Sequence, residues 1–199
     1  MITKSYGGTT GNWTVYTDLF DGSNDYMYFN DNAHKDNSSL SAFTSELFYY
    51  GYTANDYIHY LWHSVPGLQK FGSFIGNSSQ NFVELGFRPA IVWVKRAIAN
   101  SSSDTSTNNS AWTIMDSTRL SYNGQTPNHL YANHSASEGK RGDGSGTSSL
   151  ADMTLEPVTN GFYLKGPATE TNSNTGEFLY CAWAEAPSIN LYGAEADAR

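Results

Sequence analysis

The sequence predicts an all-β protein made of two tandem antiparallel β-sandwich-like units related by internal duplication. Three observations predict it. Aromatic residues make up 15% of the 199 residues and charged residues only 15%, with Gly, Ser, Asn and Thr dominating the rest. That mixture favours strands joined by polar turns over helical bundles or disorder. No window of helical length keeps a 3.6-residue apolar period, whereas short alternating or continuous apolar runs recur. Finally, "NDYIHYLWHSVP" (55–66) and "GEFLYCAWAEAP" (176–187) follow one pattern of aromatic, aliphatic, Trp and Pro positions.

Taken along the chain, strands are expected at 13–16, 26–30, 47–50, 57–63, 90–96, 112–115, 130–133, 162–165 and 178–184. "NWTVYTDL" (12–19) is similar to "AWTIMDSTRL" (111–120), which pairs Trp13 with Trp112 and Asp18 with Asp116. "YMYFN" (26–30) matches "HLYAN" (129–133), and "ELFYYG" (46–51) matches "NGFYLKG" (160–166). Trp62 then pairs with Trp183 and Pro66 with Pro187, and "PGLQKFG" (66–72) is echoed by "PSINLYG" (187–193). The order of anchors is kept while the gaps vary, as in a duplicated unit whose loops have drifted.

The run 90–94 in "FVELGFRPAIVWVKR" reads as a buried strand, and Lys95 in it corresponds to Lys4 of the short opening "MITKS". The first unit is thus expected to lack opening strands that the second has. Both 57–63 and 178–184 are apolar on both alternating faces, so each is expected in the middle of a sheet covered on both sides. The division expected is a first, N-terminally truncated unit at 1–66, a complete second unit at 67–187 and a tail at 188–199. The tail begins a third echo, which suits either an array or a strand lent within the chain or to a neighbour.

The segments "WHSVPGLQKFGSFIGN", "LGFRPAIVWVKR", "WTIMDSTR", "NGFYLKG" and "YCAWAEAPSINLYGAEADAR" together resemble a tail-associated domain of bacteriophages. That family is common in phages of marine bacteria and lies toward the C-terminal ends of tail fibre proteins. The resemblance covers residues 55–199, with 1–54 as a truncated first copy. It implies a virion structural protein, trimeric, near the host-contacting end of a tail, with other virion proteins as partners. It carries over no catalytic or binding residues. The short length and the missing first strands leave room for a fibre tip, a capsid-decoration protein or an accessory subunit.

Several functional classes fall away on composition. The formal net charge of −8 opposes a nucleic-acid surface, which needs basic patches. The single Cys181 excludes an intrachain disulfide and a Cys-rich zinc site, and its place opposite Tyr60 in the repeat suits a small core residue. No apolar run approaches the ~20 residues of a membrane span. "MITKSYGGTT" has no signal-peptide core, so work outside a cell implies release by another route, such as lysis. No E-x-D-x-x-E stretch of a sandwich glycosidase occurs, Glu170 and Glu177 flank a polar loop, and no enzymatic activity is expected.

Of the histidines, His34, His59, His63, His129 and His134, the pair His59 and His63 would lie some ~13 Å apart on a strand, too far for one ion. No metal or cofactor is expected. Calcium is chemically conceivable at "DGSND" (21–25) or "GDGSG" (142–146), though ordinary turn chemistry explains both. The Arg-Gly-Asp triplet at 141–143 is a chance feature of a Gly/Ser loop.

Long Asn/Ser/Gly/Tyr loops on a rigid scaffold suit recognition of a bacterial surface glycan. The loop residues that would contact it are Tyr122, Asn123, His134, Lys140, Arg141 and Asp143. Trp13, Trp62, Trp112 and Trp183 recur between units and are expected to pack, leaving Tyr6, Tyr122 and Tyr192 for stacking or docking. The competing expectation is a purely structural virion or capsid-decoration subunit, since an incomplete sheet exposes an edge that a partner strand must cover. A free lectin is the third.

Overall fold

A computed structural model of the chain describes residues 1–6, 11–41, 43–44, 56–98, 110–119, 129–139 and 153–185. Among them every regular element is a strand and all pairing is antiparallel. Strands β1 (Ile2–Ser5), β2 (Thr14–Thr17), β3 (Asp25–Tyr28), β4 (Asp36–Asn37) and β5 (Tyr57–Tyr60) form the first sheet, in the order β4-β3-β2-β1-β5. The second sheet, in the order β10-β9-β8-β13-β6, takes β6 (Gln69–Ile75), β8 (Pro89–Ile98), β9 (Thr113–Asp116), β10 (Leu130–Tyr131) and β13 (Glu177–Ala184). The third, β11-β12-β7, takes β7 (Asn81–Glu84), β11 (Thr154–Val158) and β12 (Gly161–Lys165).

The second sheet is the middle layer of three. Phe178, Tyr180 and Ala182 of β13, with Val92 and Val94 of β8, pack against Val83, Leu155, Phe162 and Leu164 of the third sheet. On its other face Leu179, Ala97 and Trp112 pack against Val15, Met27 and Phe29 of the first sheet. The two-residue period of a strand sends alternate side chains to opposite faces, so a strand apolar at every position needs cover on both. β13 has it. Each fully buried side chain of this size contributes roughly 1.5–3 kcal/mol.

The first-sheet strands all lie before residue 61 and the strands of the other sheets after residue 68. Among the described residues the first unit contributes one sheet, which covers the sandwich formed by the second and third.

The first two sheets share a strand order, β3-β2-β1-β5 against β10-β9-β8-β13, and a register. Thr3 faces Thr14 and His59; Val94 faces Thr113 and Tyr180. That register places Lys4 with Lys95, Trp13 with Trp112, Tyr28 with Tyr131 and Tyr60 with Cys181. Small contacts coincide too. Trp13 N donates to Asn30 Oδ1 at 2.7 Å, and Trp112 N donates to Asn133 Oδ1 at 2.8 Å. Lys4 Nζ donates to the Gly11 carbonyl, as Lys95 Nζ does to that of Ser110.

The structure corrects the pairing of Asp18 with Asp116. Since Ile2 faces Val15 while Trp93 faces Ile114, the counterpart of Asp116 is Thr17. Each caps its turn alike: Leu19 N donates to Thr17 Oγ1 and Thr118 N to Asp116 Oδ1. It also corrects the expectation for 57–63. The strand stops at Tyr60 and, among the described residues, stands at the end of its sheet, with Ile58, Tyr60, Leu61 and Trp62 exposed.

Five strands escaped the sequence pattern. β1 and β4 are short and polar, β6 is interrupted by Gly72, β7 has four residues, and β11 contains Pro157. Pro is tolerated there because β11 stands at the edge of its sheet among the described residues. The expected strand at 47–50 lies outside the described residues.

Gly161 turns β11 into β12 at φ +155°, and a Cβ there would lie 2.1 Å from the Val83 carbonyl oxygen. Gly161→Ala is expected to destabilise the protein by about 2–4 kcal/mol, read as a lower urea midpoint with an unchanged slope.

Candidate functional site

Between the first two sheets lies a cleft of about 480 Å³. Its walls are aromatic because three elements converge there: residues 61–64 beyond β5, Phe71 of β6, and Trp93 and Trp183 on one face of the middle sheet. Trp93 and Trp183 meet edge to face at 5.2 Å, and Trp183 meets Phe71 in the same way at 5.7 Å. Residues 61–64 are held by β6: Gln69 Nε2 donates to the His63 carbonyl at 2.8 Å, and Phe71 N donates to Ser64 Oγ at 3.1 Å. Trp62 lines the cleft, stacks on Tyr60 at 6.1 Å and remains 42% exposed.

Polar groups stand among these rings: His63 and Ser64 on one strip, Thr17 and Asp18 at the end of β2. Cavities of this size, with apolar walls and few polar groups, suit a small organic ligand or one or two sugar rings. Cys181 also lines the cleft, but loss of water around its thiol pushes the pKa up to about 12, so it stays protonated and is no nucleophile at neutral pH.

The tryptophans divide in a way their repetition did not predict. Trp112 is 2% exposed, its Nε1 donating to the Tyr28 carbonyl at 2.9 Å and its ring 5.3 Å from Phe29. Its counterpart Trp13 is 37% exposed, 6.3 Å from Tyr60, with Lys4 Nζ 5.8 Å above its ring. Trp13, Tyr60 and Trp62 thus form an exposed aromatic ledge leading to the cleft. The expectation that all four repeated tryptophans are packing residues therefore fails for Trp13 and Trp62: no described element covers them as the first unit covers Trp112.

Of the expected ligand residues, only His134 is described. Its Nδ1 accepts from Ala136 N at 3.0 Å and its ring packs on Tyr131 at 5.9 Å, so it shapes a turn on β10's side of the molecule. Tyr122, Asn123, Lys140, Arg141 and Asp143 lie outside the described residues, as do Tyr192, the Arg-Gly-Asp triplet and "GDGSG". Tyr6 is 67% exposed, away from the cleft lining.

The histidines do not gather. His34 pairs with Ser110 Oγ, His59 with Thr3 Oγ1, His63 with the Ser64 carbonyl and His129 with Tyr131 Oη. Among the described residues no three His, Cys, Asp or Glu side chains are grouped to hold a metal. In "DGSND", Asp21 Oδ1 accepts from both Ser23 N and Ser23 Oγ, which holds its carboxyl below the usual range, and Asp25 pairs with Lys35 at 2.8 Å. Asp21 Oδ1 and Asp25 Oδ1 are thus engaged, while Asn24 Oδ1 and Asp25 Oδ2 are buried with no hydrogen-bond partner among the described residues.

One buried cation ties the layers together. Lys95 Nζ donates to the carbonyls of Asn32, Ala33 and Ser110, and burial lowers its pKa from 10.5 to about 7, against the opposing pull of Asp31. An unfolded chain keeps its lysine protonated to higher pH, so between about 7 and 10.5 it binds more protons than the native state. Stability from this group is lowest below pH 7 and rises with pH by up to ~1.4 kcal/mol per unit across that window. Urea unfolding at stepped pH is expected to lose this slope in Lys95→Met.

A family model described as a domain of unknown function (DUF7483) matches residues 1–187. No curated protein and no solved structure matches the chain.

Proposed function

The chain therefore belongs to the DUF7483 family, and from that premise we propose that it is a bacteriophage tail-fibre subunit that contributes to host attachment by binding a bacterial surface glycan. It is a virion structural protein with no enzymatic activity of its own, built from two copies of one β unit. The observation that carries the reading is the aromatic cleft, with the Trp13–Tyr60–Trp62 ledge at its mouth. Flat, weakly polar faces on a rigid scaffold stack on the apolar faces of sugar rings, while His63, Ser64 and Asp18 supply donors and acceptors for their hydroxyls. The motif resemblance to phage tail domains supplies the setting, and the shared strand order and register of the two units support their common origin.

Labelled protein binding to phage-sensitive cells, against matched resistant cells, tests the reading. Selective binding, competed by the purified surface polysaccharide, is the expected result. Equal or absent binding by folded protein overturns attachment and leaves the structural virion subunit.

A further inference from the structure

Where the first two sheets stop overlapping, the faces that pack on each other continue into water. Ile2 and Val15 pack toward the middle sheet, and Tyr60 stands beside Ile2 in the ladder. Trp13 extends β2 by one residue, its carbonyl accepting from Phe29 N at 2.7 Å, and it shares the face of Val15 by strand alternation. Trp13, Tyr60 and Trp62 run in file, 6.3 Å and 6.1 Å between ring centres, with planes 30° and 20° apart. Each keeps over a third of its surface in water. On the middle sheet, Ile91 stands beside Trp183 on the face that bears Trp93, and it too is exposed. The cleft is thus the deep end of an open groove, and its apolar walls run on beyond it.

The charges of the groove select among glycans. Among the described residues that line the cleft there is no lysine or arginine, and Asp18 carries the acidic side chain. The Met1 amino group is occupied, donating to the Tyr16 carbonyl at 2.9 Å. At the far end of the ledge Lys4 Nζ lies 5.8 Å over the Trp13 ring and donates to the Gly11 carbonyl. The whole chain has a net charge of −8, which repels a polyanion at long range. A neutral sugar meets no such barrier: its hydroxyls find the Asp18 carboxylate and Ser64 Oγ, and its C–H face finds the rings.

We infer that the groove takes an internal stretch of a neutral, linear polysaccharide, with about one or two sugars in the cleft against Trp62 and the next ones on Tyr60 and Trp13. This rests on the attachment reading above and names the class of glycan. Recognition of a chain end calls for a closed pocket that meets the terminal hydroxyls from all sides, whereas a row of platforms leading out of a cleft suits a polymer that continues past it. The platforms are fixed before the ligand arrives. Trp13 N donates to Asn30 Oδ1 at 2.7 Å, Tyr60 lies in the β5–β1 ladder, and Gln69 Nε2 holds the His63 carbonyl next to Trp62. Each further sugar therefore adds contact without the cost of ordering the protein beneath it.

The test uses the full chain and the surface polysaccharide purified from sensitive cells, cut by partial acid hydrolysis and fractionated by size. Affinity in titration calorimetry is expected to climb roughly tenfold from fragments of about two sugars to fragments of about five, and then to level off. Trp13→Ala is expected to remove most of that gain while leaving the shortest fragment that binds unaffected. Reduction of the polysaccharide's carboxyl groups to alcohols is expected to leave binding unchanged. Three results each overturn the proposal while the attachment reading stands: affinity independent of length, a gain with length that Trp13→Ala leaves intact, or binding lost on carboxyl reduction. A loss at every length in Trp13→Ala, with near-ultraviolet circular dichroism showing it folded, overturns it as well. Binding of neither the fragments nor the intact polysaccharide overturns both.

Discussion

Trp112→Ala is expected to lower the unfolding free energy by about 3–5 kcal/mol, the range for a large aromatic removed from a packed core. The ring lies between two sheets with Phe29 against it, and its indole nitrogen donates to the Tyr28 carbonyl, so the substitution opens a cavity and strips a buried acceptor. Trp13→Ala at the matching position is expected to cost no more than ~1 kcal/mol, since over a third of that ring already faces water. Urea titration of the two variants side by side checks the contrast. Equal losses would mean that the first unit does not cover the second as described.

Trp62→Ala is expected to reduce binding to sensitive cells about tenfold or more, which corresponds to ~1.4 kcal/mol of lost stacking and desolvation. The side chain lines the cleft and is 42% exposed, so the thermal midpoint is expected to move by no more than ~2 °C. Binding that survives Trp62→Ala unchanged would move the glycan away from the cleft and toward the loops that hold Tyr122, Asn123 and Lys140. Trp183→Ala is a less clean probe, because that ring also packs on Trp93 and Phe71 and its loss disturbs the middle sheet.

Much of the architecture was legible in the residues. Apolar alternation located β2, β3, β8, β9, β12 and β13 to within a few positions. The short polar strands were invisible because they are strands by virtue of their neighbours: β1 is extended between β2 and β5, which supply its ladder. The cleft was equally hidden. Its rings come from residues 62, 71, 93 and 183, which share no local pattern and meet only when the first sheet lies across the second. Loop composition pointed instead to Tyr122 and His134, and the described one of these, His134, serves a turn.

The twin stretches mark the division most sharply. From the sequence alone, 57–63 and 178–184 are equivalent apolar runs, and both do begin as strands at matching places in their sheets. Tertiary structure alone decided that β13 is buried between two layers with β6 at its edge, while β5 and the residues just after it keep Ile58, Tyr60 and Trp62 in contact with water. The physical reason is that extended backbone and alternation are properties of neighbouring residues along a chain, whereas burial depends on which distant surface packs across the strand.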